Sequence, residues 1–293
     1  MLPPVEQDEI RVIALHSAVS RGTERLVLQG SIPESEYLRM RCPHQKGAFP
    51  FPVQYGYGFV GVVETADHPL DGQTVFALHP HQSVINLPAR DANLVPAAVP
   101  ARRATLAANM ETALNVIWDA ALAPGDRVLV VGAGVVGLLV ARLAVRMPGV
   151  FVTVADIDPR KNEPAAALGA TFAAPGTIAP PAGGFDVAIN TSVAGAGLQS
   201  CIDLVGPEGR VVEVSWYGTQ QTTLSLGGNF HAGRVAIVSS QVGNIRPDKS
   251  PRWNYGRRMA TALELLDDPA LDVLLTREVP LEQAPELLPG LIA

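Results

Sequence analysis

Residues 128–156 read VLVVGAGVVGLLVARLAVRMPGVFVTVAD. An all-apolar run, a glycine cluster, a run of helical period, a Pro-Gly break and a second β-branched run ending in an acid follow in that order. This is how a strand, phosphate turn, helix and second parallel strand appear in sequence. Gly132 permits the tight turn, Gly134 lets the backbone approach a pyrophosphate, and Gly137 lets the helix pack close to the strand. Asp156 stands 19 residues after Gly137, where a carboxylate accepts hydrogen bonds from a ribose 2′-hydroxyl and repels a 2′-phosphate. The expected cofactor is NAD, with NADP second.

The surroundings strengthen a motif that is weak alone in a chain with 27 glycines. Residues 128–131 are apolar throughout, as in a strand buried on both faces. In the next segment Arg142 and Arg146 share one helical face, while Leu138, Leu139, Leu143 and Ala144 supply another. Val135, Val136, Ile157 and Arg160 flank the glycines and the acid and complete the expected cofactor contacts of this stretch. A βαβ unit without nucleotide is the competing reading.

With 293 residues the chain holds one large or two ordinary domains. Its net charge is −6, from 28 acids against 22 lysines and arginines, with no basic run. Nucleic acid and anionic membrane surfaces are therefore not expected partners. The first residues lack the order of a signal peptide, and no apolar run approaches a membrane span, so a cytoplasmic protein is expected. Cys42 and Cys201 form no CxxC, which leaves neither a disulfide framework nor a thiolate zinc lobe.

Ahead of the glycine motif, residues 11–18 read as a strand and residues 20–33 as a turn rich in hydroxyls and charges. Those polar groups either line a cleft or satisfy the turn. Residues 37–52 form an irregular excursion, and residues 53–66 a bent strand whose glycines allow close backbone approach. A strand at 73–79 is followed by His79-Pro-His81, two histidines able to face one way but lacking further metal ligands. Residues 102–121 read as a helix.

Beyond Asp156, helical and strand segments alternate, with strands at 185–190, 209–214 and 234–240. The pattern predicts an α/β fold with a doubly wound parallel sheet. Ligands sit outside the carboxyl ends of such strands, which nominates Asn190, Thr191, Ser215, Trp216, Tyr217, Ser240 and Gln241; surface or packing roles are the alternative. Trp216, Tyr217 and Trp253 are candidates for an aromatic pocket. A helix at 259–266, a strand-like segment at 273–276 and a last helix close the chain.

Taken with a β-rich first hundred residues, these motifs make the chain similar to the medium-chain dehydrogenase/reductase family. VQYGYGFVGVVE resembles its PxxxGHExxGxV segment, and FDVAIN through GPEGRVVEV its FDVxxxxxG to GGxxVxxG pattern. SRGTE with YGY is most similar to zinc-lacking members related to bacteriochlorophyllide dehydrogenases. The resemblance implies a Rossmann domain, a discontinuous GroES-like β-rich catalytic domain and an active site in the cleft between them. It divides the chain into 1–108 (GroES-like, first part), 109–245 (Rossmann) and 246–293 (return segment), and relatives often form homodimers.

Departures from the family pattern bear on mechanism. Zinc enzymes of the family carry Cys where this chain has Ser20, His where it has Tyr57, and Cys near Ala108, so no metal is expected. Without a Lewis acid, a carbonyl needs hydrogen-bond donors for its developing alkoxide. Tyr57 is the first candidate. Ser20 and Thr23 could relay a proton, Glu24 or Glu111 could orient the relay, and His81 could exchange the proton near neutral pH. The expected activity is zinc-independent hydride transfer between NAD(H) and an alcohol or carbonyl. An NADPH-dependent enone or quinone reductase, with Arg160 and Lys161 taking the phosphate, and a non-catalytic NAD-binding protein are the alternatives.

Overall fold

A computed structural model describes residues 4–292. It divides into two compact units, one of residues 1–108, 256–268 and 275–293, the other of residues 109–255 and 269–274. Residues 246–255 and 269–274 thus go with the second unit, although the family pattern assigns them to the return segment.

In the first unit, β1 (Glu9–Ser17), β2 (Phe59–Val63), β3 (Thr74–Ala77), β4 (Val84–Pro88) and β5 (Asn93–Leu94) pair antiparallel in the order β4-β1-β2-β3-β5. Period-two patterning creates its core: Ile10 and Val12 of β1 meet Phe59, Val63, Val75, Ile85 and Leu87, all buried. Gly61 brings β2 against β1, since a Cβ there would stand 2.3 Å from the Ile13 carbonyl oxygen. The bent strand expected at 53–66 is broken in two. Val53–Gln54 pairs with Lys46–Gly47, and residues 55–58 leave the ladder before β2 begins.

The turn expected at 20–33 is instead a helix, α1 (Arg21–Leu28). Ser20, Gly22 and Thr23 favour turns by propensity, but burial of Leu26 and Val27 outweighs them. The Glu24 carboxylate accepts the Ser20 backbone N–H at 2.7 Å, tying the first turn. Gly30, at φ +63, follows the end of the helix.

In the second unit, α2 (Ala107–Ala120) leads into six parallel strands: β6 (Arg127–Val131), β7 (Phe151–Ala155), β8 (Thr171–Ala173), β9 (Phe185–Asn190), β10 (Val205–Glu213) and β11 (Ala236–Ser239). Their order, β8-β7-β6-β9-β10-β11, is that of a doubly wound nucleotide-binding sheet. The helices α3 (Val135–Val145), α4 (Asn162–Ala167) and α5 (Gly195–Leu204) are its crossovers. Strand order reverses between β6 and β9, which places the ligand crevice at Val131 and Asn190. Val128, Leu129 and Val130 are fully buried.

After the sheet come α6 (Tyr255–Glu264) and the terminal helix α7 (Ala284–Ile292). No strand forms at 273–276. Pro269–Leu274 is a 3-10 helix instead, and its three-residue turn buries Leu271 and Leu274 on one side. Among the described residues no helix is long and apolar enough to cross a membrane.

Candidate functional site

The three glycines of the GAGVVG turn differ in what surrounds them. Gly132 has φ +103, and a Cβ there would lie 2.8 Å from the Ser192 backbone nitrogen. At Gly137 a Cβ would lie 2.0 Å from the Gly132 carbonyl oxygen. Both are required by the protein's own packing. Gly134, the residue before α3, has an ordinary extended backbone at φ −72, and nothing lies within 4 Å of the position of its Cβ. Glycine is favourable at a helix N-cap, but packing supplies no reason that requires it there. A ligand approaching the first backbone N–H groups of an eleven-residue helix gives one.

Asp156 is held against this turn. One carboxylate oxygen accepts the Ala133 N–H at 2.6 Å and the other the Asp158 N–H at 2.8 Å. Each oxygen keeps a further lone pair for a hydroxyl. Ile157 is 88% exposed beside it, as a residue that covers a ring would be. Arg160 is engaged by Asp158 through two hydrogen bonds of 2.9 Å. Those bonds from Arg160 hold the Asp158 carboxyl below the usual range. Val135 is exposed and Val136 half-buried at the start of α3. The group that would bind here, a dinucleotide, fits the residues present.

Several strand-end candidates are already committed to structure. Thr191 Oγ donates to the Gly132 carbonyl at 2.8 Å and so clamps the turn. Ser240 Oγ donates to Asp119 at 2.6 Å and receives the Asn115 amide at 3.2 Å. Asn190 is fully buried and donates to Glu213 at 2.7 Å and to the Tyr217 hydroxyl at 3.2 Å. Glu213 also accepts the Ser215 N–H at 2.7 Å and the Tyr217 hydroxyl at 3.1 Å. Burial, then the Glu213 charge, pushes the Tyr217 phenol up. Ser215 Oγ accepts the Val193 N–H at 3.0 Å, fixing one strand-end loop to the next. Trp216 is half-buried. Gln241 accepts the Gly243 N–H at 2.6 Å. Trp253 packs on Trp118, with ring centroids 4.8 Å apart. Sequence reading missed Glu213 and Asp119; the acid inside the run GRVVEV was the available signal for the first.

In the first unit the chain gathers Tyr57, Ser20, Thr23, Glu24 and His81. The half-buried Tyr57 phenol is hydrogen-bonded to the side chains of Ser20 and Thr23. Burial pushes it up to about 12, the two hydroxyls oppose that, and the Glu24 charge adds to it. Glu24 is buried and bonded through its second oxygen to His81 Nε2 at 2.8 Å. On its other side the imidazole meets Ser17 Oγ at 2.6 Å through Nδ1. Ser17, the last residue of β1, was not singled out by sequence because one serine ending a strand carries no pattern. Glu111 is buried on α2, in the second unit.

His79 and His81 do not face one way. His79 is buried, stacks on His44 at 5.1 Å and uses Nδ1 to reach the Pro80 carbonyl at 3.0 Å. Burial lowers its affinity for a second proton. Among the described residues no three His, Cys, Asp or Glu cluster as metal ligands would. Cys42 and Cys201 are both buried, and burial pushes the Cys42 thiol up to about 11. The irregular stretch before Tyr57 is ordered by rings: Tyr37, Phe49, Tyr55 and Tyr57 follow one another at 5.8, 5.8 and 6.1 Å.

A family model described as zinc-binding dehydrogenase matches residues 135–255. L-galactonate-5-dehydrogenase of Escherichia coli (strain K12) is 34% identical over 116 residues, covering 39% of this chain and 33% of that protein. The match thus spans about a third of that relative's length. Among solved structures, one described as a zinc-binding dehydrogenase of Sinorhizobium meliloti 1021 bound to NADP aligns with TM-score 0.76 and 18% identity, over 98% of this chain and 89% of that one. The alcohol dehydrogenase TADH of Thermus sp. ATN1 aligns with TM-score 0.75 and 19% identity, over 100% and 93%. The quinone oxidoreductase of Thermus thermophilus aligns with TM-score 0.63 and 23% identity, over 89% and 79%. These likenesses establish the fold.

Proposed function

We propose that this chain, which carries the fold of the medium-chain dehydrogenase/reductase superfamily and the match to a zinc-binding-dehydrogenase family model, moves a hydride between NAD(H) and an alcohol or carbonyl without zinc. The observation that carries the cofactor half is Gly134, a glycine at a helix start that no protein atom requires. Asp156, held on the same turn, is placed to accept ribose hydroxyls. The bound dinucleotide would supply or take the hydride.

NAD is favoured over NADP because Arg160, four residues after the acid, is already paired with Asp158. A 2′-phosphate would have to displace that carboxylate and meet Asp156 as well. The reductase reading, which needs Arg160 and Lys161 for the phosphate, would have only Lys161 without that pairing and is therefore the weaker one.

The zinc-free half rests on donor chemistry. Around Tyr57 stand hydroxyls, one carboxylate, one imidazole with both nitrogens engaged and the Cys42 thiol, whose proton burial holds, and among the described residues no three His, Cys, Asp or Glu side chains are grouped as ligands. Structural and catalytic zinc prefers thiolate, free imidazole nitrogen and carboxylate in a tetrahedral set, and these residues do not fit it. In the direction of carbonyl reduction, Tyr57 would give its phenolic proton to the oxygen as hydride reaches the carbon. Ser20 and Thr23, hydrogen-bonded to the phenol, would stabilise the phenolate and return its proton. Neutral donors held in place contribute about 2–4 kcal/mol of such stabilisation.

The test is NADH oxidation with a panel of ketones and aldehydes, in chelator, on protein whose zinc content is measured. Turnover at under a tenth of a zinc per chain supports the reading. Stoichiometric zinc whose removal abolishes turnover refutes the zinc-free half. NADH binding with no hydride transfer across the panel leaves a dinucleotide-binding protein.

A further inference from the structure

The Ser17–His81–Glu24 line reaches the Tyr57 cluster through Glu24, whose other carboxylate oxygen accepts the Ser20 backbone N–H at 2.7 Å, while the Ser20 side chain is bonded to the phenol. Facing an ionised Glu24, the neutral ring is held in one tautomer by its two contacts. A carboxylate only accepts, so the 2.8 Å contact from His81 Nε2 to Glu24 puts a proton on Nε2. The neutral ring then has Nδ1 unprotonated, and the 2.6 Å contact there is Ser17 Oγ donating to it. Gly56 lies beneath the imidazole, where a Cβ would stand 2.8 Å from Nε2. The ring is thus gripped on both nitrogens and on one face, and its side chain is only 16% exposed.

We propose that Ser17, His81 and Glu24 form a positioning relay that sets how readily Tyr57 releases its proton, with His81 Nδ1, facing Ser17, as the point where a proton enters. The inference rests on the hydride-transfer reading above. A proton added at Nδ1 turns the Ser17 bond around: the ring N–H donates and Oγ accepts, which frees the hydroxyl hydrogen to point elsewhere. The ring then carries one positive charge against the single negative charge of Glu24. One proton is taken from solvent, and no bond between heavy atoms changes.

The consequence reaches Tyr57 through charge. Glu24 raises the phenol's hold on its proton, whereas Ser20 and Thr23 lower it. With His81 neutral, Glu24 opposes formation of a phenolate beside it. With His81 protonated, the opposing charge is cancelled at hydrogen-bond distance and the phenolate left after proton transfer is less disfavoured. Carbonyl reduction therefore gains from a charged His81. The titratable groups that share Glu24's surroundings are Tyr57 and Tyr55 from the segment before β2, Cys42, and Arg41, whose charge reaches the Cys42 thiol. The buried thiol and both phenols are neutral across the neutral range, so the charged groups among them are Glu24 and, acting on the thiol, Arg41.

Ser17→Ala tests the relay without touching Tyr57, Ser20, Thr23 or the dinucleotide turn. The bond lost is stronger to the charged ring than to the neutral one. The midpoint of the His81 ring signals, followed by NMR in the full chain, should therefore fall by about half to one pH unit relative to the parent. The kcat for ketone reduction should lose its acidic plateau over the same shift, with KM and the NADH dissociation constant unchanged. Ser17→Thr, which keeps the hydroxyl, should restore both. An unmoved His81 midpoint in Ser17→Ala overturns the relay even if hydride transfer is found. A moved midpoint with an unmoved kcat profile overturns its link to Tyr57. Loss of NADH binding or turnover in the parent chain overturns the functional reading alone, since the NMR titration needs no substrate.

Discussion

The imidazole of His81 occupies the space a side chain on residue 56 would take. A Cβ on Gly56 would lie 2.8 Å from His81 Nε2 and 2.9 Å from its Cδ2, and Gly56 has φ +133. Glycine is required twice over, for the backbone angle and for the ring above it. Gly56→Ala should therefore lower stability by about 2–4 kcal/mol, adding backbone strain to a displaced ring. Urea unfolding measures the loss. Unchanged stability would mean that His81 does not pack on this backbone.

Burial of Tyr57 makes a prediction about alkaline pH. An unfolded tyrosine ionises near pH 10, whereas the folded phenol is pushed up to about 12, first by burial. Below the unfolded value both states are neutral, and the full stability is present. As pH rises above it the unfolded chain ionises first, so stability is lost until the folded group titrates too. Tyr55 and Tyr217 are pushed in the same direction, again first by burial. Denaturant unfolding between about pH 8 and pH 12 should show the decline, and Tyr57→Phe should make it shallower. An equally steep decline in that variant would mean that Tyr57 does not contribute.

The parts legible in sequence are those with local cause. Most of the parallel sheet could be read because its strands are apolar runs set off by glycine or proline, and FDVAIN is a strand over Phe185–Asn190, whereas Thr171–Ala173 is too short to show and the strand expected at 209–214 begins at Val205. The helix α1 was not legible, because Ser20, Gly22 and Thr23 argue for a turn until Leu26 and Val27 find a core to enter. Residues of the candidate site divide the same way. Asp156 follows from spacing to the glycines. Ser17, Glu213 and Asp119 act through partners 64, 23 and 121 residues away in the chain. No pattern in one sequence records such pairings.

Asp156 has two duties that one substitution removes together. It accepts the Ala133 N–H, which shapes the glycine turn, and in the proposed complex it accepts ribose hydroxyls. Asp156→Ala should weaken NADH binding about 10- to 100-fold, the loss of one or two hydrogen bonds to a charged acceptor. NADPH binding should suffer less, because the same change removes a repulsive charge. Fluorescence titration with both nucleotides reads the difference. Equal loss for the two would confine Asp156 to shaping the turn.

Gly134 and Gly137 separate what the fold needs from what a ligand needs. A Cβ at residue 137 would stand 2.0 Å from the Gly132 carbonyl oxygen and 2.6 Å from Thr191 Oγ, so Gly137→Ala must push α3 away from β6. That should cost about 1–3 kcal/mol of stability, readable in denaturant unfolding, and should impair binding as a by-product. At residue 134 the new methyl meets no protein atom within 4 Å, and φ −72 suits any residue. Gly134→Ala should therefore cost no more than about 1 kcal/mol, the loss of a favourable N-cap residue, while NADH binding falls tenfold or more because the methyl stands where the pyrophosphate would approach. A variant that keeps both stability and full NADH affinity would leave Gly134 without a ligand and would remove the observation on which the dinucleotide reading stands.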